Sequence, residues 1–229
     1  MINNLENKNL PLLGRTIAIT RSADQQSEAK LLFRSKGAKV LDLPALVIGP
    51  PNDWEPLDNQ LLELESFDWI IFSSGNGVNS VEARLNRSGK SLKDFSKHLK
   101  IASVGIKTGN CLERIGIDPD YIPPKFIADS LIDHFPQKHL KLKILIPRVQ
   151  SGGRNVISEA FKQFGSNVFE VAAYESFCPE SIPEMTAKTI HKKEIDGLIF
   201  TSGKTVFNSQ KLLNKYFGDI WIDFLRDVK

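Results

Sequence analysis

The stretch FDWIIFSSGNGVNSVEARL, from Phe67 to Leu85, decides the fold, because the chain contains a second version of it. The second version is IDGLIFTSGKTVFNSQKLL, from Ile195 to Leu213, at an offset of 128 residues. Each version runs from an acidic residue through a short apolar segment into Ser-Ser-Gly or Thr-Ser-Gly, and then into an amphipathic segment. This order predicts a buried parallel strand that leads directly into a helix. The repeat therefore predicts two similar α/β halves.

The turn between strand and helix is a candidate anion site in each version. Backbone N–H groups at a helix N-terminus can hold an anion, and hydroxyls beside bare glycine backbone allow a ligand to come close. The simpler interpretation is a serine that only caps the helix. Two copies of the turn favour a functional role, and two such turns facing one cleft would suit a large polyanionic ligand. The candidate residues are Ser74, Gly75, Asn76, Ser202, Gly203 and Lys204.

Composition narrows the class of protein. The chain has 229 residues, 41% of them hydrophobic and 25% charged, with a formal net charge of +3. This balance is ordinary for a globular protein and lacks the clustered basic surface of a nucleic-acid binder. No leader-like segment and no apolar run of about 18 residues is present, so we expect a cytoplasmic protein without a membrane partner. A periplasmic-type solute-binding protein would need a secretion signal.

Strand and helix signals alternate along the chain. Strand-like runs at TIAITR, IASVG and KILIPR lead into polar or glycine-bearing turns, and glycines follow the amphipathic segments. This order of signals predicts alternating strands and helices with parallel sheets. Ligands of such sheets bind beyond the carboxyl ends of the strands. The functional loops should follow Thr20, Phe72, Val104, Pro147 and Phe200, and the helix-ending glycines should be Gly37, Gly116 and Gly165.

Two long, proline-terminated extended segments, VLDLPALVIGPP and VFEVAAYESFCP, predict crossings between two domains. The first domain then comprises residues 1–39 and 180–229, the second residues 53–166, and the connector strands residues 40–52 and 167–179. When the offset is continued, residues 227–229 fall opposite residues 99–101. We therefore expect the first domain to lack the next strand and helix, to expose apolar surface and to leave one wall of the site incomplete.

Other residues could contribute to a site. Thr108, in VGIKTG, is a further anion holder or a simple cap. Arg148 and Arg154 bracket a glycine pair in PRVQSGGR, which suits a carboxylate or phosphate, although a surface loop with solvated charges is the alternative. Arg21 is a comparable candidate. Tyr174 faces either a cleft or a packed core, and its position alone favours the core.

Several kinds of chemistry lack support in the sequence. The two cysteines are far apart and form no CxxC motif, so neither a zinc site nor a disulfide framework is expected. TSGKT is too short for a phosphate-binding GxxxxGK[ST] loop, and the four histidines build no Ser-His-Asp arrangement. A reaction that the substrate largely performs itself, once held and protonated, fits this absence of a nucleophile, metal or redox centre.

The ordered set of these segments resembles the uroporphyrinogen-III synthase family over nearly the whole chain. The segments are TIAITR, LPALVI, DWIIFSSGNGV, IASVGIKT, ILIPRVQSGGR, VAAYES and DGLIFTSGKTV. The resemblance implies two flavodoxin-like parallel-sheet domains joined by a two-stranded connector. It also implies a cyclising lyase that closes hydroxymethylbilane, a linear tetrapyrrole with eight carboxylates, to uroporphyrinogen III with inversion of ring D and loss of water.

The resemblance further implies roles for individual residues. Tyr174 would be the acid for the departing hydroxyl, and Ser74, Thr108 and Ser202 would hold acetate and propionate groups with neighbouring N–H groups. Arg21, Arg148 and Arg154 would assist. No cofactor and no metal are expected, and the protein would act as a monomer that at most meets hydroxymethylbilane synthase transiently. The alternative function is a non-catalytic, two-domain binder of a polycarboxylate tetrapyrrole, including a truncated, inactive synthase.

Overall fold

A computed structural model describes residues 10–20, 28–153 and 155–229. The strands are β1 (Thr16–Ile19), β2 (Lys39–Asp42), β3 (Val47–Gly49), β4 (Trp69–Phe72), β5 (Lys100–Ser103), β6 (Lys143–Val149), β7 (Asn167–Phe177) and β8 (Gly197–Ile199). The helices are α1 (Glu28–Ser35), α2 (Glu55–Leu62), α3 (Gly75–Asn86), α4 (Leu92–Phe95), α5 (Ile106–Arg114), α6 (Ala128–His134), α7 (Val156–Gln163), α8 (Glu184–His191), α9 (Gly203–Phe217) and α10 (Trp221–Phe224). This alternation confirms the α/β class.

The chain forms two compact units. Unit 1 takes in Met1–Val47 and Phe177–Lys229, and unit 2 takes in Ile48–Ser176. The chain thus changes unit once inside each of the two long extended segments. These segments are not free-standing connectors, because residues 39–42 form β2 in one sheet and residues 167–177 form β7 in the other. Within the sheets their burial varies, since Ala173 is fully buried whereas Val47 and Phe177 are exposed.

Unit 2 is built on a five-stranded sheet with the order β3-β7-β6-β4-β5. The β4·β5, β4·β6 and β6·β7 pairs are all parallel. All four residues of β4 are buried because each face of the sheet has its own apolar cluster. Ile70 and Phe72 pack with residues of α2, α3 and α5, whereas Trp69 and Ile71 pack with residues of α6 and α7.

Unit 1 is built on a three-stranded parallel sheet with the order β2-β1-β8. One face packs Ala18 and Leu43 against residues of α8 and α9, including Ile190 and Leu212. On the outer side of β8, the backbone N–H of Lys229 donates to the Asp196 carbonyl at 3.2 Å, and the Lys229 carbonyl accepts from Leu198 at 3.0 Å. In unit 2, β5 begins beside β4 in the same way.

Most strand and helix-end predictions are confirmed, with one correction that matters for the site. Gly37, Gly116 and Gly165 each follow a helix and have positive φ angles of 93°, 77° and 88°. β6, however, continues past Pro147 to Val149. Arg148 therefore lies inside a strand, paired opposite Ala172 of β7, and not in a loop after the strand.

Candidate functional site

The acidic residue that opens each repeat joins two strands at the end of the sheet away from the turns. Asp68 accepts the backbone N–H of Lys143 at 2.7 Å, and Asp196 accepts that of Thr16 at 2.8 Å. Arg15 also donates to Asp196 at 2.7 Å. The Thr16 N–H and the Arg15 guanidinium lower the pKa of the Asp196 carboxyl below its usual value. Both acidic residues therefore have structural roles.

In unit 2 the repeat forms a tightly packed turn at the N-terminus of α3. Ser74 is the N-cap, and its hydroxyl accepts the N–H of Asn76 at 3.2 Å. A Cβ at Gly75 would lie 2.5 Å from Cys111 Sγ, and a Cβ at Gly77 would lie 3.3 Å from the Pro147 carbonyl oxygen. The glycines thus let α5 and the end of β6 approach the first turn of α3.

In unit 1 the corresponding turn, at the N-terminus of α9, has side-chain acceptors for the N–H groups of Thr201, Ser202 and Thr205. The Ser202 hydroxyl accepts the N–H of Thr205 at 3.3 Å. The Thr205 hydroxyl accepts the N–H groups of Ser202 and Thr201 at 3.2 and 3.3 Å, and donates to the Ser202 carbonyl at 2.7 Å. Gly77 is the counterpart of Thr205 in unit 2 and has no side chain that could do this. Gly203 and Lys204 follow the Ser202 cap and are exposed.

Thr108 is not a helix cap. It is the third residue of α5, and Gly105 occupies the cap position. Its N–H donates to the Gly105 carbonyl at 3.0 Å, and the residue is only 6% exposed. Thr108 is therefore a mostly buried residue of the first turn of α5.

The Arg148 side chain is partly buried and is held by three acceptors of the protein. Its guanidinium donates to Glu170 Oε1, to Asn155 Oδ1 and, at 2.5 Å, to the carbonyl oxygen of Gly152. The interpretation as a surface loop with solvated charges is wrong for this arginine, because its side chain is 16% exposed and paired with Glu170. An open cleft of about 390 Å³ lies beside it. Arg21 and Arg154 lie outside the described residues.

Tyr174 lies at an irregularity in β7. Arg148 pairs with Ala172, but the next residue, Val149, pairs with Tyr174, so Ala173 is an extra residue in β7. Such a bulge changes the face to which the following side chain points. Ala173 and Tyr174 both join the apolar cluster formed with α2, α3 and α5, and Tyr174 is 9% exposed. The tyrosine is packed, as its position in the sequence suggested, on the sheet face that carries the Ser74 turn.

The parallel strands of unit 2 bring several candidates to one edge of the sheet. The Ser74 turn follows β4, the Gly105 turn follows β5 and the Gln150–Gly153 loop follows β6. The sequence pattern did not indicate the contacts that Gln150, Glu170 and Gly77 make beside these turns. The difference between Gly77 and Thr205 was visible in the aligned repeat, whereas the contact of Glu170 with Arg148 depends on strand register.

Neither a metal-binding cluster nor a membrane-spanning helix is found in the parts of the chain that the structure describes. Residues 10–20, 28–153 and 155–229 contain no group of three or more histidine, cysteine, aspartate or glutamate side chains that could hold a metal ion. Among the helices of the same ranges, none has the length and apolar character needed to cross a membrane.

Parallel sheets whose strands alternate with helices, divided between two units, place the chain among flavodoxin-like α/β proteins. The chain belongs to the uroporphyrinogen-III synthase family, since the family model described as uroporphyrinogen-III synthase HemD matches residues 27–229. This confirms the resemblance seen in the sequence.

Similar proteins agree with this membership. The chain is 43% identical over 211 residues to the uroporphyrinogen-III synthase of Synechococcus elongatus, covering 92% of this chain and 79% of the relative. It is 28% identical over 208 residues to a putative uroporphyrinogen-III synthase of Methanocaldococcus jannaschii, covering 89% and 80%. A crystal structure of a mutant uroporphyrinogen III synthase from Thermus thermophilus shares the fold, with a TM-score of 0.58 and 16% identity over 92% of this chain and 81% of that one.

Proposed function

We propose that the chain closes hydroxymethylbilane to uroporphyrinogen III, with inversion of ring D and loss of water, as a cyclising lyase of tetrapyrrole biosynthesis. The observation that carries the proposal is the 43% identity, over 92% of the chain, to a relative named as this synthase. The architecture of unit 2 supports it, because hydroxyl and glycine turns meet at one edge of a parallel sheet, where such folds bind ligands.

The substrate carboxylates are the groups that the turns would hold. At the Ser74 turn, backbone N–H groups and the Ser74 hydroxyl offer donors to an acetate or propionate, and the Asn76 amide adds another. The lack of a side chain at Gly77 supports this role, because the N–H groups of Ser73 and Ser74 then have no internal acceptor at that position. Gly75 would contribute its backbone N–H group, since its lack of a side chain already serves the contact with Cys111.

Other predicted holders would act through charge and hydroxyls. Lys204 adds a positive charge beside Ser202 and Gly203, where the turn N–H groups are already bonded to Thr205. Thr108 and the two arginines outside the described residues, Arg21 and Arg154, remain proposed contributors on the basis of the family pattern. Arg148 takes a different role, which is argued in the next subsection.

Tyr174 would protonate the departing hydroxyl of the substrate, which leaves as water and yields an electrophilic ring A. Ring D would then attack through its substituted carbon to form a spiro intermediate, and fragmentation and recombination would invert the ring. Acid catalysis of this kind contributes roughly 10²- to 10⁴-fold to a rate. The substrate supplies both electrophile and nucleophile, so positioning is the main catalytic term and the proposed mechanism needs no cofactor.

The proposal includes the setting of the enzyme. We expect a cytoplasmic monomer that receives its small-molecule substrate from hydroxymethylbilane synthase, with at most a transient contact, and that needs neither nucleic acid nor a membrane. Cys111 and Cys178 are both free thiols, which agrees with a reducing compartment.

Separation of the product isomers tests the proposed function. Incubation of the protein with hydroxymethylbilane should give the type III isomer, whereas buffer alone gives the type I isomer. If the protein also gives only type I, catalysis is contradicted, and calorimetry with uroporphyrinogen III then asks whether the protein is only a binder.

Replacement of Tyr174 tests its role as the acid. Y174F should lower kcat by about 10²-fold, because the proton donor is lost while the packed ring stays. Circular dichroism and the unfolding midpoint should match the wild type. An unchanged kcat would remove Tyr174 from the acid role.

A further inference from the structure

Arg148 is the centre of a polar cluster near the end of β6, in which the Arg148 and Glu170 side chains are partly buried and Gly152 and Asn155 are exposed. Glu170, whose side chain is 21% exposed, neutralises its charge, and Asn155 and the Gly152 carbonyl take further N–H groups of the guanidinium. A planar guanidinium held by several acceptors has a fixed orientation. The cluster therefore binds β6, β7 and the loop after β6 to one another.

The loop after β6 is shaped around this guanidinium. Gly152 and Gly153 have φ angles of +79° and +85°, which side-chain-bearing residues rarely adopt. A Cβ at Gly153 would lie 2.8 Å from Arg148 Nη2, whereas a Cβ at Gly152 would meet nothing within 4 Å. The backbone at Gly153 thus passes close to the guanidinium, and a side chain at this position would displace it.

The same loop holds Tyr174 in its bulge. The N–H of Gln150, two residues after Arg148, donates to the Tyr174 carbonyl at 2.8 Å. The Gln150 side-chain oxygen accepts the N–H of Asn52 at 2.6 Å. Gln150 is therefore held by its backbone N–H and by its side chain. Its backbone bond lies at the bulge of β7, where the extra residue places Tyr174 on the face of α3 and α5.

We propose that Arg148 and Glu170 are positioning residues, which fix the Gln150–Gly153 loop and, through Gln150, the orientation of Tyr174. Arg148 is then not a ligand for a substrate carboxylate. The inference rests on the proposed function, because the acid role of Tyr174 belongs to that function. It adds Glu170 and Gln150 to the residues on which the reaction depends.

A double-mutant cycle on the pair tests the proposal. R148Q and E170Q should each lower kcat about tenfold and change KM less than about twofold. The double variant should resemble the single variants, because each substitution breaks the same ion pair. R148K, which keeps the charge and can still reach Glu170, should recover part of kcat.

The alternative role for Arg148 predicts the opposite pattern. As a substrate ligand, it would give a raised KM in R148Q, and E170Q would lower KM because the guanidinium is released toward the substrate. That pattern overturns the proposal. D58N is the matched control, since it breaks the Arg84–Asp58 pair of unit 2, whose arginine side chain is also 16% exposed; its kcat and KM should stay at the wild-type values.

Amide hydrogen exchange separates failure of this inference from failure of the proposed function. Peptides covering residues 149–155 and 172–176 should exchange about tenfold faster in R148Q and E170Q than in the wild type, and D58N should leave them unchanged. Unchanged exchange in R148Q and E170Q overturns the positioning role whatever the activity. A wild-type protein that forms no type III isomer contradicts the proposed function instead.

Discussion

The Ser74 turn of unit 2 and the Ser202 turn of unit 1 have similar sequences, but their backbone N–H groups have different hydrogen-bond acceptors. In unit 1, the Thr205 hydroxyl accepts the N–H groups of Thr201 and Ser202, and the turn closes on itself. In unit 2, Gly77 stands at the position of Thr205, so the turn has no such acceptor. A repeated motif can therefore keep its backbone shape while its N–H groups differ in their internal acceptors, and we propose that the Ser74 copy is the one that binds an anionic ligand.

Close packing explains why unit 2 has a glycine at position 77. α3 begins so close to the end of β6 that a Cβ at Gly77 would already lie 3.3 Å from the Pro147 carbonyl oxygen. In unit 1, Thr205 is 3% exposed, and its hydroxyl completes a reciprocal cap with Ser202. Such caps stabilise a protein by about 0.5–2 kcal/mol. Unit 1 thus gains stability from this cap, and we propose that unit 2 keeps the corresponding donors for a ligand.

Among changes to the two turns, the largest expected effect comes from giving unit 2 the turn of unit 1. In G77T, the new hydroxyl should accept the N–H groups of Ser73 and Ser74, and KM should rise about tenfold because two donors to a carboxylate are lost. G77A adds only the Cβ against Pro147 and reports the steric part. Equal KM values for G77T and G77A would contradict the account.

The reverse change in unit 1 should affect stability more than binding. T205V keeps the shape of the side chain and removes the hydroxyl, so the free energy of unfolding in urea should fall by about 1 kcal/mol. KM should change less than about twofold, since those N–H groups are proposed to serve the fold. A KM increase as large as that of G77T would remove the distinction between the turns.

A smaller effect is expected at the opposite end of β8. The pKa of Asp196 is lowered below 3.8 in the folded protein by the Thr16 N–H and by Arg15. Its carboxylate therefore stabilises the fold above pH 3.8, and this contribution is lost as the pH falls through the lower, folded pKa.

Urea unfolding of the wild type and D196N over a pH series measures this contribution. The gap in unfolding free energy should narrow as the pH falls below 3.8. D223N removes an exposed carboxylate and controls for the change in net charge. A gap that stays constant with pH would show that the Asp196 carboxylate makes no pH-dependent contribution.

Sequence patterns were sufficient for some of these features and not for others. The serine caps at Ser74 and Ser202 follow from a strand that runs into a Ser-Gly turn, because the serine stands at the helix boundary in both copies. The role of Arg148 did not follow, since its partner Glu170 becomes a neighbour only through the register of β6 and β7. The bulge at Tyr174 is likewise a matter of pairing, which alternation along one strand does not encode.

The most direct test of the central claim is an NMR titration of the protein with uroporphyrinogen III under anaerobic conditions. The account predicts that the backbone amide signals of Ser73 and Ser74 shift strongly on binding, because these N–H groups gain a carboxylate acceptor. The amides of Thr201 and Ser202 should shift little, since Thr205 already holds them. Strong shifts at Thr201 and Ser202 with none at Ser73 and Ser74 would contradict it.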